Sequence, residues 1–289
     1  MPKERIDKLM VERGLADSRT RAQALILAGQ VLARDQRIDK PGHLLDPSVE
    51  IRIKGETLRY ASRGGLKLEA ALRDFKIDPK DKICIDVGAS TGGFTDCLLQ
   101  HGAQKVWAVD VGHNQLVWRL RQDSRVVSLE GLNARELSAD QFPLRFEIAT
   151  VDVSFISLAL ILPALYPCLN DSADCVVLVK PQFEVGKGEV GRGGIVTDTR
   201  KHRDVLRKIN NAALTTGFST MGLIESPILG AEGNREFLMH LRTRSTEPSA
   251  LNPGHIQLHS GLSTQHSALI TPFDVEAQID LLVGPNAML

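Results

Sequence analysis

Cysteine is scarce in this chain: Cys84, Cys97, Cys168 and Cys175 are the four in 289 residues. None stands in a Cys-x-x-Cys spacing, and no histidine pair accompanies them at zinc-ligand distance, so neither a metal site nor a disulfide framework is indicated. They read as small buried hydrophobes in a reducing compartment. Long apolar runs are missing as well. The longest, Phe155 to Leu165, is interrupted by Ser157 and Pro163, far short of the ~20 residues that span a bilayer. The N-terminus carries charges where a signal peptide needs an apolar segment. These absences predict a cytoplasmic protein with no metal and no membrane partner. Residues 246–289 lack Lys and Arg altogether and hold four acids, whereas residues 1–65 hold 13 basic and nine acidic residues. A small basic module ahead of a neutral body points to a polyanionic partner. With 289 residues, 43% of them hydrophobic, the chain accommodates one full-sized domain and one small one.

Two nucleotide signatures are also absent. No GxGxxG occurs at the expected strand–helix junction, and no Walker lysine follows it, which disfavours a dinucleotide or a nucleoside triphosphate. What stands there instead is Lys82-Ile83-Cys84-Ile85, an apolar strand, running into Asp86-Val87-Gly88-Ala89-Ser90-Thr91-Gly92-Gly93-Phe94-Thr95. This reads as a strand, a glycine turn and a helix. A second strand, Lys105 to Val109, ends in Asp110. A glycine turn lets a ligand approach the backbone, and an acid at the next strand tip accepts hydrogen bonds from a ribose diol. S-adenosylmethionine fits this pair, having a ribose to hold and no pyrophosphate to cradle. The predicted cofactor contacts are Asp86, Gly88, Ala89, Ser90, Thr91, Gly92, Asp110 and Asp152, with Asn133 after the third strand as an adenine contact. A tight βα turn with no ligand is the plainer alternative.

Along the chain, residues 4–13 and 19–28 pattern as amphipathic helices, with Asp17-Ser18 as N-cap chemistry and Gly29 as a stop. Val31–Ala33 and Val49–Ile53 read as strands, with Arg34–Arg37 as a turn. Arg5, Arg19, Arg21, Arg34 and Arg37 form one candidate basic face. A hinge is expected over 59–65, then a helix over 66–75. Strands are expected at 82–87, 105–110, 125–129, 147–152, 175–180, 219–225 and 236–242, and helices at 92–101, 114–121, 156–169 and 199–216. Alternating strands and helices imply an α/β fold with a mostly parallel sheet, the last two strands forming an antiparallel hairpin. The tail from 245 to 289 lacks periodicity and reads as disordered, although Phe273 to Leu282 has the pattern of a short helix.

Lys67, Asp152, Lys180 and Glu236 stand at element ends. Asp152 and Lys180 close parallel strands, and an antiparallel final strand brings Glu236 to the same edge, where ligands of open α/β sheets sit. Singly, each is an ordinary charged residue at a strand exit. Together with the cofactor turn they form a candidate catalytic set.

Three segments carry a family resemblance. Arg5-Ile6-Asp7-Lys8-Leu9, Gly14 to Ala22 and Ile26 to Val31 resemble the S4 RNA-binding domain. The set Lys67–Asp152–Lys180–Glu236 resembles the K-D-K-E tetrad of FtsJ-like ribose 2′-O-methyltransferases. With Ser62-Arg63-Gly64-Gly65-Leu66-Lys67, Asp152-Val153-Ser154-Phe155-Ile156-Ser157 and Lys180-Pro181-Gln182-Phe183-Glu184, residues 3 to about 244 resemble the TlyA (haemolysin A-like) family of rRNA methyltransferases. The linker departs from a tryptophan-containing form of that family, with Tyr60-Ala61 in its place. The resemblance implies a Rossmann-like, seven-stranded methyltransferase domain over 66–244, an α+β S4 domain over 1–60, and a linker over 61–65. It implies S-adenosylmethionine as cofactor, ribosomal RNA or ribosomal subunits as partner, and methyl transfer to a ribose 2′-hydroxyl of a cytidine. Lys180 is then the general base, Asp152 its orienting partner, and Lys67 and Glu236 the groups that position the ribose. An amine with an ordinary pKa of ~10.4 must be driven to its neutral form, which burial, a second cation and the cofactor's sulfonium favour. Lys187 and Arg192, in the glycine-rich loop Gly186–Gly194, are candidate RNA contacts. Competing readings are a catalytically weak ribosome-assembly factor, a membrane-active haemolysin, and a base methyltransferase; the last is disfavoured by the lack of an Asn-Pro-Pro-Tyr-like motif.

Overall fold

A computed structural model of the chain describes residues 3–13, 15–16, 18–34, 36–54, 59–186, 188–230, 233–244 and 273–284. The chain divides into two compact units, Met1–Arg59 and Tyr60–Leu289.

The first unit contains β1 (Glu4–Arg5), α1 (Ile6–Glu12), α2 (Arg19–Leu27), β2 (Val31–Ala33), β3 (Gln36–Ile38), β4 (Leu44–Leu45) and β5 (Ile51–Ile53). Ser18 Oγ accepts from Arg21 N at 3.2 Å and caps α2. Ile6, Leu9 and Met10 of α1 and Ala22, Leu25 and Ile26 of α2 are buried against Val31, Ile38 and Ile51. That spacing of three and four residues puts one apolar stripe of each helix on the sheet. The expected turn at Arg34–Arg37 is a correction: β2 pairs with β3 on one side and β5 on the other, so Gln36 and Arg37 belong to a strand.

The second unit alternates α3 (Gly64–Phe75), β6 (Ile83–Val87), α4 (Gly93–Gln100), β7 (Lys105–Asp110), α5 (Trp118–Arg121), β8 (Val126–Glu130), β9 (Phe146–Val151), α6 (Leu162–Leu165), β10 (Leu169–Val179), α7 (Pro181–Glu184), α8 (Thr199–Thr216), β11 (Phe218–Glu225) and β12 (Phe237–Thr243), followed by α9 (Val275–Val283). The seven-stranded sheet has the order β11-β12-β10-β9-β6-β7-β8. β12 runs antiparallel to β10 and β11, while β10, β9, β6, β7 and β8 are mutually parallel. Strand side chains alternate between two cores. Cys175, Val177 and Val179 join Leu162, Leu206 and Ile209 on one face; Val176 and Leu178 join Leu68, Leu72, Phe94 and Leu98 on the other. A sheet covered on both faces needs the near-continuous apolar strands seen in the sequence. All four cysteines are free and buried. Burial pushes the Cys84 thiol up to about 12 and that of Cys168 up to about 11, as expected for inert packing residues.

Several expectations change. The helix expected over 114–121 begins only at Trp118, because Asn114 adopts the left-handed region at φ 56°. The helix expected over 156–169 shrinks to α6 between short 3₁₀ turns. Pro167 has no N–H to bond the carbonyl of Pro163, so the α-helix cannot continue. Residues 60–65, within the expected hinge, open the second unit: Tyr60 is buried, and Ala61 N donates to Asp96 Oδ2 at 2.7 Å. In the tail, residues 245–272 and 285–289 lie outside the described residues, but α9 is a docked helix. Its Ile279 is fully buried, Arg203 pairs with Asp280 at 3.3 Å, and Arg207 pairs with Glu276 at 2.6 Å. Among the described residues, no helix is long and apolar enough to cross a membrane.

Candidate active site

The carboxyl edge of the sheet collects the chemistry. Val87 pairs with Val151 and Val151 with Val177, so Gly88 and Asp152 leave adjacent strands side by side. Asp152 N donates to Val87 O at 2.9 Å. Val179 pairs with Phe237, so Lys180 and Glu236 are the next residues along a shared antiparallel register. Asp110 ends β7, the neighbour of β6 on its other side.

Four charges along this edge form two ion pairs. Lys67 Nζ, reaching over from α3, donates to Glu236 Oε2 at 2.5 Å. Lys180 Nζ lies 2.6 Å from Asp152 Oδ1 and donates to Ser154 Oγ at 3.0 Å. The contact with Asp152 is close but lacks hydrogen-bond alignment, since Oδ1 is buried with no hydrogen-bond partner. Charge burial of this kind is a poor way to gain stability and is common at reactive sites.

Asp152 also lines a cavity of about 390 Å³, together with Gly88, Ser90, Asp110, Asn133 and Phe155, with Val109, Leu132, Ile156 and Ile161 as apolar wall; Lys67, Lys180 and Glu236 are not among its lining residues. Small-molecule sites run from roughly 300 to 1,000 Å³. Gly88 has φ 85°, and a Cβ there would meet Asp152 O at 2.5 Å; only glycine lets the two strand ends close up. The carboxylate of Asp110 accepts from Ser90 N and Gly112 N, each at 2.7 Å. Each oxygen keeps a further lone pair, enough for the two hydroxyls of a ribose. The cradle, the acid and the apolar wall fit S-adenosylmethionine.

Other predicted cofactor contacts are placed differently. Asp86 is fully buried, and both its oxygens are taken, by Thr95 Oγ1 at 2.7 Å and Thr150 Oγ1 at 2.8 Å. Burial pushes its pKa up to about 6, against the two threonine hydrogen bonds, with the charge of Asp152 adding to the rise. Asp86 therefore braces the turn from beneath and does not line the cavity. Nor do Ala89, Thr91 and Gly92. Ala89 is buried, Thr91 faces outward, and Gly92 lies against Leu116 and Leu120. Asn133 does line the cavity, although its Oδ1 also accepts from Arg135 N at 3.1 Å.

Three residues escaped the sequence reading. Phe155 is 89% exposed with φ 63°, a strained position for an aromatic. Its ring sits 4.8 Å from that of Phe183 at the lip of the cavity. Glu184 holds that loop, accepting from Ser157 Oγ at 2.6 Å and from Leu158 N at 2.7 Å. Gly230 lies directly under the Glu236 carboxylate, where any Cβ would collide with it. The first two fall within motifs quoted above, but the contact of Phe155 with Phe183 and the hydrogen bond from Ser157 to Glu184, 27 residues apart, are tertiary facts.

In the first unit, Arg21, Arg34 and Arg37 are exposed. Arg5 and Arg19 are only half committed to solvent. Arg5 Nη2 lies 2.8 Å, and Arg19 Nη2 3.0 Å, from the fully buried Asp7 carboxylate. With Gln23 they hold that carboxyl well below the usual carboxylate range, Arg5 contributing most and burial opposing. Lys187 and the side chain of Arg192 lie outside the described residues.

Residues 60–243 match the family of FtsJ-like methyltransferases, and residues 4–51 match the S4 domain. The chain is 53% identical over 240 residues to YqxC of Bacillus subtilis (strain 168), which carries an rRNA methyltransferase designation; the match covers 83% of this chain and 85% of that protein. It is 44% identical over 242 residues to the 16S/23S rRNA (cytidine-2′-O)-methyltransferase TlyA of Mycobacterium tuberculosis (strain ATCC 25618 / H37Rv), covering 83% and 90%. A solved structure from Streptococcus thermophilus, carried under a hemolysin designation, is 51% identical with a TM-score of 0.66, covering 84% of this chain and 90% of that one.

Proposed function

Because the chain belongs to the TlyA family of FtsJ-like methyltransferases, with an S4 domain ahead of the methyltransferase domain, we propose that it methylates a ribose 2′-hydroxyl of a cytidine in ribosomal RNA, using S-adenosylmethionine. The observation that carries this reading is the pair of ion pairs, Lys67–Glu236 and Lys180–Asp152, at the carboxyl edge of the sheet, with Asp152 also lining the Gly88 cavity. When bound, S-adenosylmethionine supplies an electrophilic methyl group on a sulfonium centre.

The chain's own residues do the rest. Gly88 and Ser90 leave room at the turn, Asp110 takes the ribose diol of the cofactor, and Val109, Leu132 and Ile156 flank its base, with Asn133 at that end. Lys180 Nζ accepts the proton of the RNA 2′-hydroxyl, which a weak nucleophile must lose as it attacks. Asp152 and Ser154 fix Nζ in place. In the free protein that amine is an ion-pair partner; only its neutral form can accept a proton, and a cation nearby favours that form. Lys67 and Glu236 hold each other and position the incoming sugar, so that alignment supplies much of the rate. Phe155 offers an aromatic face to the target base. The S4 unit contributes phosphate contacts through Arg21, Arg34 and Arg37, with Arg5 and Arg19 beside them, making affinity salt-dependent. Lys187 and Arg192 of the glycine-rich loop are further RNA contacts in this reading. Such a protein works where ribosomes are, in the cytoplasm.

The test is transfer of labelled methyl from S-adenosylmethionine to ribosomal subunits lacking the modification, with the product located by mass spectrometry. Lys180→Arg keeps the charge but cannot accept a proton, and its rate should fall by about 10²–10⁴-fold while cofactor binding survives. A Lys180→Arg enzyme at full rate would remove the lysine from the chemistry. No transfer by the unaltered protein would favour an assembly factor instead.

A further inference from the structure

Phe155 is not the only aromatic exposed at this edge. Trp118 opens α5 with 72% of its surface exposed. The local sequence leaves it no inward path. Leu116 and Leu120, four residues apart, are 5% and 2% exposed and pack into the core of the α3–α4 face. Trp118 lies midway between them and so points the other way. Its position is tied to the cofactor turn: Val117 N donates to Thr91 O at 3.3 Å, and Gly92 lies against Leu116 and Leu120. The neighbouring side chains are cations held rigidly. Arg119 is clamped on Asp96, which is itself nearly buried and also accepts from Ala61 N. Arg121 Nη1 donates to Asn114 Oδ1 at 2.8 Å.

A wide exposed indole between fixed guanidinium groups, tied through Val117 to the glycine turn at the carboxyl edge, is chemistry suited to an unpaired nucleobase. Its π face accepts any base, and the cations meet the flanking phosphates. We propose that Trp118 stacks on an unpaired nucleotide of the RNA substrate, on the β7 side of the cofactor turn and opposite Phe155. Trp118 and Phe155 then bracket the turn, one holding a neighbouring nucleotide and the other facing the target. This inference rests on the rRNA reading above.

The experiment compares Trp118→Ala, Trp118→Phe and unaltered protein on ribosomal subunits lacking the modification. Trp118→Ala should raise KM for subunits about tenfold to a hundredfold, the loss expected for one base stack. Its kcat at saturating subunits and its affinity for S-adenosylmethionine should be unchanged. Trp118→Phe keeps a π face and should stay within about threefold of the unaltered protein. An unchanged KM for Trp118→Ala, or equal losses in both variants, would overturn the proposal. So would loss of cofactor affinity, which would assign the indole to the cofactor pocket. A concentration-dependent dimer abolished by Trp118→Ala would assign it to self-association and overturn the proposal too. If the unaltered protein transfers no methyl, the functional reading fails first, and filter binding of subunits by the same variants decides the role of Trp118 separately.

Discussion

The Lys67–Glu236 pair offers the sharpest test of whether this edge is built for chemistry or for stability. Its partners are 169 residues apart in sequence and 2.5 Å apart in space, with side-chain exposures of 11% and 2%. Removing one partner strands the other charge in a nearly dry setting, which costs about 3–5 kcal/mol. Because Lys67 keeps some contact with water, the low end applies, about 3 kcal/mol for Lys67→Met or Glu236→Leu alone. For a domain of this size that corresponds to a fall in Tm of about 6–12 °C. The double variant Lys67→Met/Glu236→Leu replaces both charges with apolar groups of similar length. It should lie within about 1 kcal/mol of the unaltered protein, far from the roughly 6 kcal/mol sum of the single changes. Urea or thermal unfolding followed by circular dichroism measures the cycle, and labelled-methyl transfer is run on the same samples. All three variants should be nearly inactive, so the double variant separates a sound fold from a dead site. Additive destabilisation would show that the two charges are not one unit. A double variant that still transfers methyl at the normal rate would reduce the pair to architecture.

Other consequences follow from single positions. Gly230→Ala places a methyl group against the Glu236 carboxylate; methyl transfer should drop towards the level of Glu236→Leu, with a stability loss of about 1–3 kcal/mol, and an unaffected rate would mean the glutamate has room to move. Asp86 is raised to about 6 from 3.8 by burial, so the folded state favours its protonated form. Its contribution, on the order of 3 kcal/mol, is present below about pH 4 and lost as pH rises through 6. The stability of the unaltered protein relative to Asp86→Asn should therefore fall between pH 4 and pH 7 in urea titrations, and a flat difference would contradict the assignment. Asp7 is shifted the other way, so its contribution is present above the usual carboxylate pKa and disappears on acidification. Asp7→Ala should destabilise the first unit by about 2 kcal/mol at pH 7, read by hydrogen exchange in α1 and α2, and normal protection there would refute the role given to Arg5 and Arg19.

Much of this was legible in the chain itself. The near-continuous apolar run in β10, helical spacing in α8 and the glycine turn after β6 each arise from local rules, although β10 begins at Leu169, earlier than its apolar run. α8 spans Thr199–Thr216, as its pattern predicts. The shortened helices share a cause. Asn114 and Pro167 interrupt helices whose apolar spacing alone looks continuous, because spacing records which face is buried and not whether the backbone can carry on. Asp86 reads as a ligand contact because it adjoins the glycine turn. Whether its carboxylate faces the cavity or the core depends on Thr95 and Thr150, residues from other elements.

The amino-acid order alone settled the two-part organisation, the alternating strands and helices, and the residue types at the strand tips, since propensity and periodicity act over a few neighbours. Tertiary structure alone decided which charge meets which. Lys67 takes Glu236 and Lys180 takes Asp152 because an antiparallel last strand is inserted beside β10 and α3 packs across it. It also decided that Phe155 and Trp118 stay in water. Trp118 is held outward by Leu116 and Leu120, already committed to the core, and Phe155 by its left-handed backbone and its contact with Phe183.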